Sequence, residues 1–143
     1  MDKGLDILLV EDNPDHLELI LKVLREHPVA HGVYVATDGE EALDFLYQRG
    51  QFPNAPRPGL ILLDINLPKI DGLEVLRHIK TDPGRKSIPV VMLTTSASRQ
   101  EMMASYDLGV NSYIVKPVDF EQFTTAITTL KLYWLLFNRS LTE

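Results

Sequence analysis

The feature that most constrains this chain is an alternation between short apolar runs and stretches of helical periodicity. Leu5 to Val10, Leu60 to Leu63, Pro89 to Leu93 and Tyr113 to Val115 are apolar runs, and Val33 to Ala36 is a weaker one. Near-continuous apolar runs suit strands buried on both faces, as in a parallel sheet covered by helices. Periodicity alone does not separate such runs from buried helix; their shortness and β-branched content favour strand. Between them, Asn13 and Pro14 read as N-cap and first helical residue, and Leu17, Ile20, Leu21 and Leu24 then follow the i, i+3, i+4, i+7 rule. Asp38 with Glu41 resembles a capping box ahead of Ala42, Phe45 and Leu46. Asp71 and Gly72 open a third helix running through Lys80, which the turn residues Asp82, Pro83 and Gly84 end. Ser98 opens a fourth, with Met102, Met103 and Tyr106 on one side, and both methionines read as core filling. Asp119 caps a fifth that extends to about Phe137.

Five strands alternating with five helices predict an α/β fold with a doubly wound parallel sheet, in the flavodoxin-like order 2-1-3-4-5. The 143 residues fit a single domain spanning 1–143, with a core over about 5–130 and an extended C-terminal helix over about 119–137. Residues 50–59 carry three prolines and two glycines, so they form a loop. The absence of cysteine excludes disulfides, thiolate metal sites and cysteine nucleophiles. The start of the chain lacks the basic and apolar regions of a signal peptide, and no apolar run approaches the roughly 18 residues of a membrane span. The expected setting is cytoplasmic, with no membrane partner. A net charge of −6 argues against nucleic acid as a partner. His16, His27, His31 and His78 share no ligand spacing and read as surface residues.

In doubly wound sheets, sites form beyond the carboxyl ends of the strands, near the switch in strand order. Glu11 and Asp12 follow the first run, Asp64 the second strong one, Thr94 and Thr95 the third, and Lys116 and Pro117 the fourth. Packed carboxylates repel one another and raise their own pKa values unless a cation joins them. Mg²⁺, a hard cation that takes oxygen ligands and keeps waters, suits that set. Asp12 and Asp64 would bind it directly and Glu11 through water. A carboxylate can also attack phosphorus and become an acyl phosphate. Such a reaction asks mainly for positioning and neutralised charge, which Lys116 as a point charge and the Thr94 hydroxyl as a donor supply.

These residues resemble the receiver domain (CheY-like) of two-component response regulators. The resemblance is carried by Val10 to Asn13, Leu62 to Pro68, Asp71 and Gly72, Met92 to Thr94, and Tyr113 to Pro117, and it covers about residues 5 to 130. It implies that Asp64 is the phosphoacceptor and that Glu11 and Asp12 hold Mg²⁺, with the backbone carbonyl of Asn66 as a further ligand. It implies that Thr94 and Tyr113 are a switch pair, that Lys116 senses the phosphoryl group, and that the peptide bond from Lys116 to Pro117 is cis. The implied partner is a sensor histidine kinase or a histidine phosphotransfer protein. The implied role is a signalling switch that alters a protein-binding surface, not an enzyme acting on a substrate. The stretch Leu93 to Ser96 and the insert at 50–59 also resemble small stand-alone regulators that partner bacterial phytochromes.

Singly, these features have plainer readings. Glu11 and Asp12 would compensate a helix dipole, Asp64 to Pro68 would end a strand, Thr94 would cap a helix, Lys116 would be solvated and Tyr113 would be core. The combination at successive strand ends is what points to phosphoryl chemistry. The main alternative is a receiver-like binding module that works without phosphorylation. A dehalogenase-type phosphatase wants a second Asp two positions after the nucleophile, where Asn66 stands. The P-loop and dinucleotide-binding glycine patterns are absent. The last helix is apolar almost all round, with Lys131 the one charge from Leu130 to Phe137. Such a helix must bury more than one face, against its own domain or against a second copy. A homodimer contact through Leu130, Tyr133, Trp134 and Phe137 is expected. The chain ends soon after this helix, so output is expected through protein contact or onward relay of the phosphoryl group.

Overall fold

Apolar residues at consecutive strand positions need cover on two sides, and the fold supplies it. The computed structural model describes residues 5–26, 30–94 and 99–115, and beyond them 121, 124, 125, 128 and 129. Strands β1 (Leu5–Val10), β2 (Ala30–Ala36), β3 (Leu60–Asp64), β4 (Val90–Thr94) and β5 (Ser112–Val115) alternate with helices α1 (Pro14–Glu26), α2 (Gly39–Leu46), α3 (Gly72–Thr81) and α4 (Arg99–Asp107). The strands form one sheet in the order β2-β1-β3-β4-β5, and every pairing is parallel. The expected class and strand order are therefore the observed ones. Of the anticipated fifth helix, Glu121, Thr124, Thr125, Thr128 and Thr129 are described, and all are helical.

Successive side chains of a strand point to opposite faces, and the core divides accordingly. Ile7, Leu9, Leu60, Leu62, Val91 and Leu93 pack on one face with Ile20, Val23 and Leu24 of α1. Leu8, Val10, Ile61, Leu63, Val90 and Met92 pack on the other with Ala42, Leu43, Phe45 and Leu46 of α2 and Val75, Leu76 and Ile79 of α3. Full burial of such a side chain stabilises by roughly 1.5–3 kcal/mol, so the two layers dominate the fold.

Helix starts follow the expected chemistry, with one displacement. Asn13 Oδ1 accepts from the amides of Asp15 (2.9 Å) and His16 (3.1 Å), and Asp71 Oδ1 accepts from Glu74 N (2.9 Å). Asp38 Oδ1 accepts from Glu41 N (2.7 Å), but Glu41 does not return to Asp38; its Oε1 accepts from the amide (2.8 Å) and hydroxyl (3.1 Å) of Thr37. Met103 does not fill the core, because it lies on the outer side of α4 and is 56% exposed, while Met102 is half-buried. The 50–59 insert is an ordered loop. Gln48 Nε2 donates to Ala55 O (2.6 Å), Phe52 packs edge-on against Phe45, and Arg57 donates to Gly84 O (2.6 Å) and Ser87 Oγ (3.2 Å).

Candidate functional site

The strand order reverses between β1 and β3, and their carboxyl ends bring the acids together. Val10 pairs with Leu63, so the residues after β1 stand beside the end of β3. Asp64 is the last residue of β3 and Thr94 the last of β4, not the first residues of the following loops as the apolar runs alone suggested. Their backbones continue the ladder even though their side chains are polar: Asp64 pairs with Leu93 and Thr94 with Val115. One carboxylate oxygen from each of Glu11, Asp12 and Asp64 lies within 4.8 Å of the others. Glu11 is fully buried and Asp64 is 5% exposed, while Asp12 faces solvent.

Backbone groups hold two of these acids in place. Glu11 N donates to Ala36 O (3.0 Å), and Glu11 Oε2 accepts from Asn13 N (3.2 Å). Ile65 N donates to Leu93 O (3.1 Å), and Asp64 Oδ1 accepts from Asn66 N (3.1 Å). The next contact explains Gly72. Its amide donates to Ile65 O (2.9 Å), and a Cβ there would lie 2.2 Å from Asp64 O and 2.6 Å from Ile65 Cα. The first residue of α3 thus packs directly on the backbone of Asp64.

Buried carboxylates are tolerated when a cation pairs with them. Three carboxylate donors, two of them buried, fit a hard divalent cation with oxygen ligands better than any other ligand class. Asn66 is exposed at the same rim, two residues past Asp64. Beside the acids, Thr94 is fully buried and hydrogen-bonded by side chain to Tyr113. Tyr113 is half-buried against the core layer that holds α2 and α3. Burial pushes its hydroxyl pKa up, the charge of Glu101 on α4 adds to the rise, and the bond with Thr94 opposes it.

The structure therefore brings together Glu11, Asp12, Asp64 and Thr94 with Tyr113. Lys116, its bond to Pro117, and the expected dimer residues Leu130, Tyr133, Trp134 and Phe137 lie outside the described residues. Sequence reasoning missed two neighbours. His16, expected at the surface, is half-buried in the first turn of α1, with Nδ1 4.0 Å from Glu11 Oε2. No ligand spacing flags it, because the proximity arises only when α1 folds back over the end of β1. Glu101 is the other, and its relation to Tyr113 depends on how α4 lies against β5.

The chain belongs to the response regulator receiver domain family, whose profile matches residues 7–128. Response regulator Rcp1 of Synechocystis sp. (strain ATCC 27184 / PCC 6803 / Kazusa) is 44% identical over 129 residues, covering 90% of this chain and 88% of Rcp1. Among solved structures, the phosphorylated cyanobacterial phytochrome response regulator RcpA is 46% identical with a TM-score of 0.87, over 92% of this chain and 94% of that one. The Mn²⁺-bound form of Rcp1 is 44% identical with a TM-score of 0.86, over the same shares of the two chains. The protein is a receiver-domain response regulator of two-component phosphorelay signalling.

Proposed function

We propose that Asp64 is the phosphoacceptor of this regulator and that Glu11, Asp12 and Asp64, with the backbone carbonyl of Asn66, hold Mg²⁺ beside it. The observation that carries this reading is the convergence of Glu11, Asp12 and Asp64 at the switch in strand order, with two of the three acids buried. Asp64 is held by Asn66 N at Oδ1. A carboxylate oxygen of Asp64 attacks the phosphorus of a partner's phosphohistidine; the new O–P bond forms as the P–N bond breaks, and the imidazole leaves with the electron pair. When bound, Mg²⁺ neutralises charge on the phosphoryl oxygens. Thr94 offers a hydroxyl donor to the same oxygens, and Lys116, by resemblance, a point charge.

The incoming charge then biases a two-state element. Thr94 turns toward the phosphoryl group, and Tyr113 moves into the space it leaves. The surface around α4 and β5 changes with it. The donor is a sensor histidine kinase, and the likeness to RcpA favours a phytochrome; a histidine phosphotransfer protein would serve the same chemistry. The chain acts as one receiver domain in the cytoplasm, as a signalling switch without a turnover reaction of its own beyond phosphoryl transfer and its hydrolysis. No helix among the described residues is long and apolar enough to cross a membrane. Its output is a protein contact or onward relay of the phosphoryl group. Separately, the chain pairs as a homodimer through Leu130, Tyr133, Trp134 and Phe137, a reading supported by exposed Met103, Tyr106 and Val115 on α4 and β5.

The decisive test is incubation with acetyl phosphate or phosphoramidate, read by intact mass. One phosphoryl group is expected on the wild type with Mg²⁺, and none without Mg²⁺ or in Asp64→Asn. Failure of the wild type to gain mass with either donor would favour a binding module that works without phosphorylation.

A further inference from the structure

The loop from Asp64 to Gly72 carries the proposed acceptor and the carbonyl of Asn66, yet its tip is not held by its own helix. Pro68 O accepts from Ile70 N (2.8 Å), closing a three-residue turn around Lys69. Lys69 sits in this turn with φ of +69°, a left-handed conformation that opposes its Cβ. A bare turn of this kind is strained and persists only where its surroundings over-determine it.

The start of α2 provides those surroundings. Gly39 N donates to the same Pro68 O (3.3 Å), and Gly39 approaches the loop so closely that a Cβ there would lie 1.9 Å from Ile70 O. Lys69 Nζ lies 3.5 Å from Asp38 Oδ2 and 3.9 Å from Glu40 Oε1. Asp38 is itself fixed, because it is buried and its other oxygen caps α2 through Glu41 N. The lysine thus ties a strained turn to a buried, hydrogen-bonded carboxylate on the neighbouring element.

We propose that Lys69 is a positioning residue for the metal: its tie to Asp38 and Glu40 holds the loop in the form that aligns Asp64 and Asn66 for Mg²⁺. The inference rests on the reading of Asp64 as part of a Mg²⁺ site. Two effects of opposite sign separate it from simple electrostatics. Lys69 is a positive charge on the rim of an acidic site, so by Coulomb's law alone its removal should tighten Mg²⁺ binding. Loss of a loop support should weaken it.

The test measures Mg²⁺ affinity of the unphosphorylated protein by titration calorimetry for wild type, Lys69→Ala, Lys69→Gly and Lys69→Arg. Outer supports of a metal site commonly change affinity 10–100-fold when removed, and this tie is solvent-exposed, so a loss of about 3–10-fold is expected in the Ala and Gly variants. Lys69→Arg should stay within about twofold of wild type, since it keeps the charge. The glycine variant relieves the backbone strain and so guards against a folding defect. Amide exchange over residues 66–70 should quicken in the Ala and Gly variants. Unchanged or tighter Mg²⁺ binding in both variants would overturn the proposal while leaving the site reading intact. A wild type that binds no Mg²⁺ at millimolar concentration would overturn both.

Discussion

Tyr113 shows how one side chain registers its surroundings. Its hydroxyl is pushed toward the neutral form by burial and by the Glu101 charge, and pulled toward ionisation by its bond with Thr94. Opposite shifts follow from two substitutions. Glu101→Gln should lower the Tyr113 pKa, and Thr94→Val should raise it further, as read by phenolate absorbance with Tyr113→Phe to assign the signal. Movement of both in one direction would mean that Glu101 or Thr94 does not face the ring as described. At this scale the sequence was legible where the acids and Thr94 fall at strand ends. His16 was not legible, because its 4.0 Å approach to Glu11 depends on the path of α1 over β1. Lys69 was not legible either, since its partners Asp38 and Glu40 lie about thirty positions away and meet it only through the turn at Pro68.

Among elements, β1 was readable to the residue because all its described apolar positions are buried, whereas β2 was the weakest strand in sequence. It pairs with β1 at one edge of the sheet and includes His31, Gly32 and half-exposed Tyr34, so its apolar signal is diluted. The ends of β3 and β4 were underestimated because Asp64 and Thr94 are polar, and hydropathy cannot see a backbone ladder that continues beneath a polar side chain. The turn after α3 yields a pH prediction. Gly84 N (2.9 Å) holds Asp82 Oδ1, and Arg85 Nη1 (2.8 Å) holds Oδ2; together they depress the Asp82 pKa, the glycine amide most strongly. A depressed folded-state pKa means that the stabilisation is whole above the ordinary value of 3.8 and is lost as pH falls from there through the lower folded value. Asp82→Asn should therefore reduce stability at neutral pH and flatten the acid limb of the stability curve below about pH 4, as measured by urea unfolding across pH. An unaltered acid limb would mean that the turn does not hold the carboxylate in solution.

The whole molecule divides into two rims. The carboxyl rim gathers Glu11, Asp12, Asp64 and Thr94, and the exposed Met103, Tyr106 and Val115 lie on α4 and β5, along the side of the molecule that joins the two rims. If this side pairs two copies together with Leu130, Tyr133, Trp134 and Phe137, sedimentation velocity at tens of micromolar should show a dimer, with beryllofluoride or without it. Trp134→Ala should shift the population to monomer, and a wild type that is monomeric under both conditions would remove the dimer from the mechanism. The opposite rim is held by cations resting on oxygen atoms. Arg57 reaches Gly84 O, Arg85 Nε reaches Leu46 O (2.8 Å), and Lys80 Nζ reaches Lys86 O (3.1 Å) and Ile88 O (3.0 Å). Each contact braces a loop, and none involves a group of the carboxyl rim. Strands of five residues put roughly 16 Å between the two rims. On the proposed reading the carboxyl rim is the working end and the opposite rim a handle, and a dye or tether fixed at exposed Asn54 in the handle would leave the proposed site free to act.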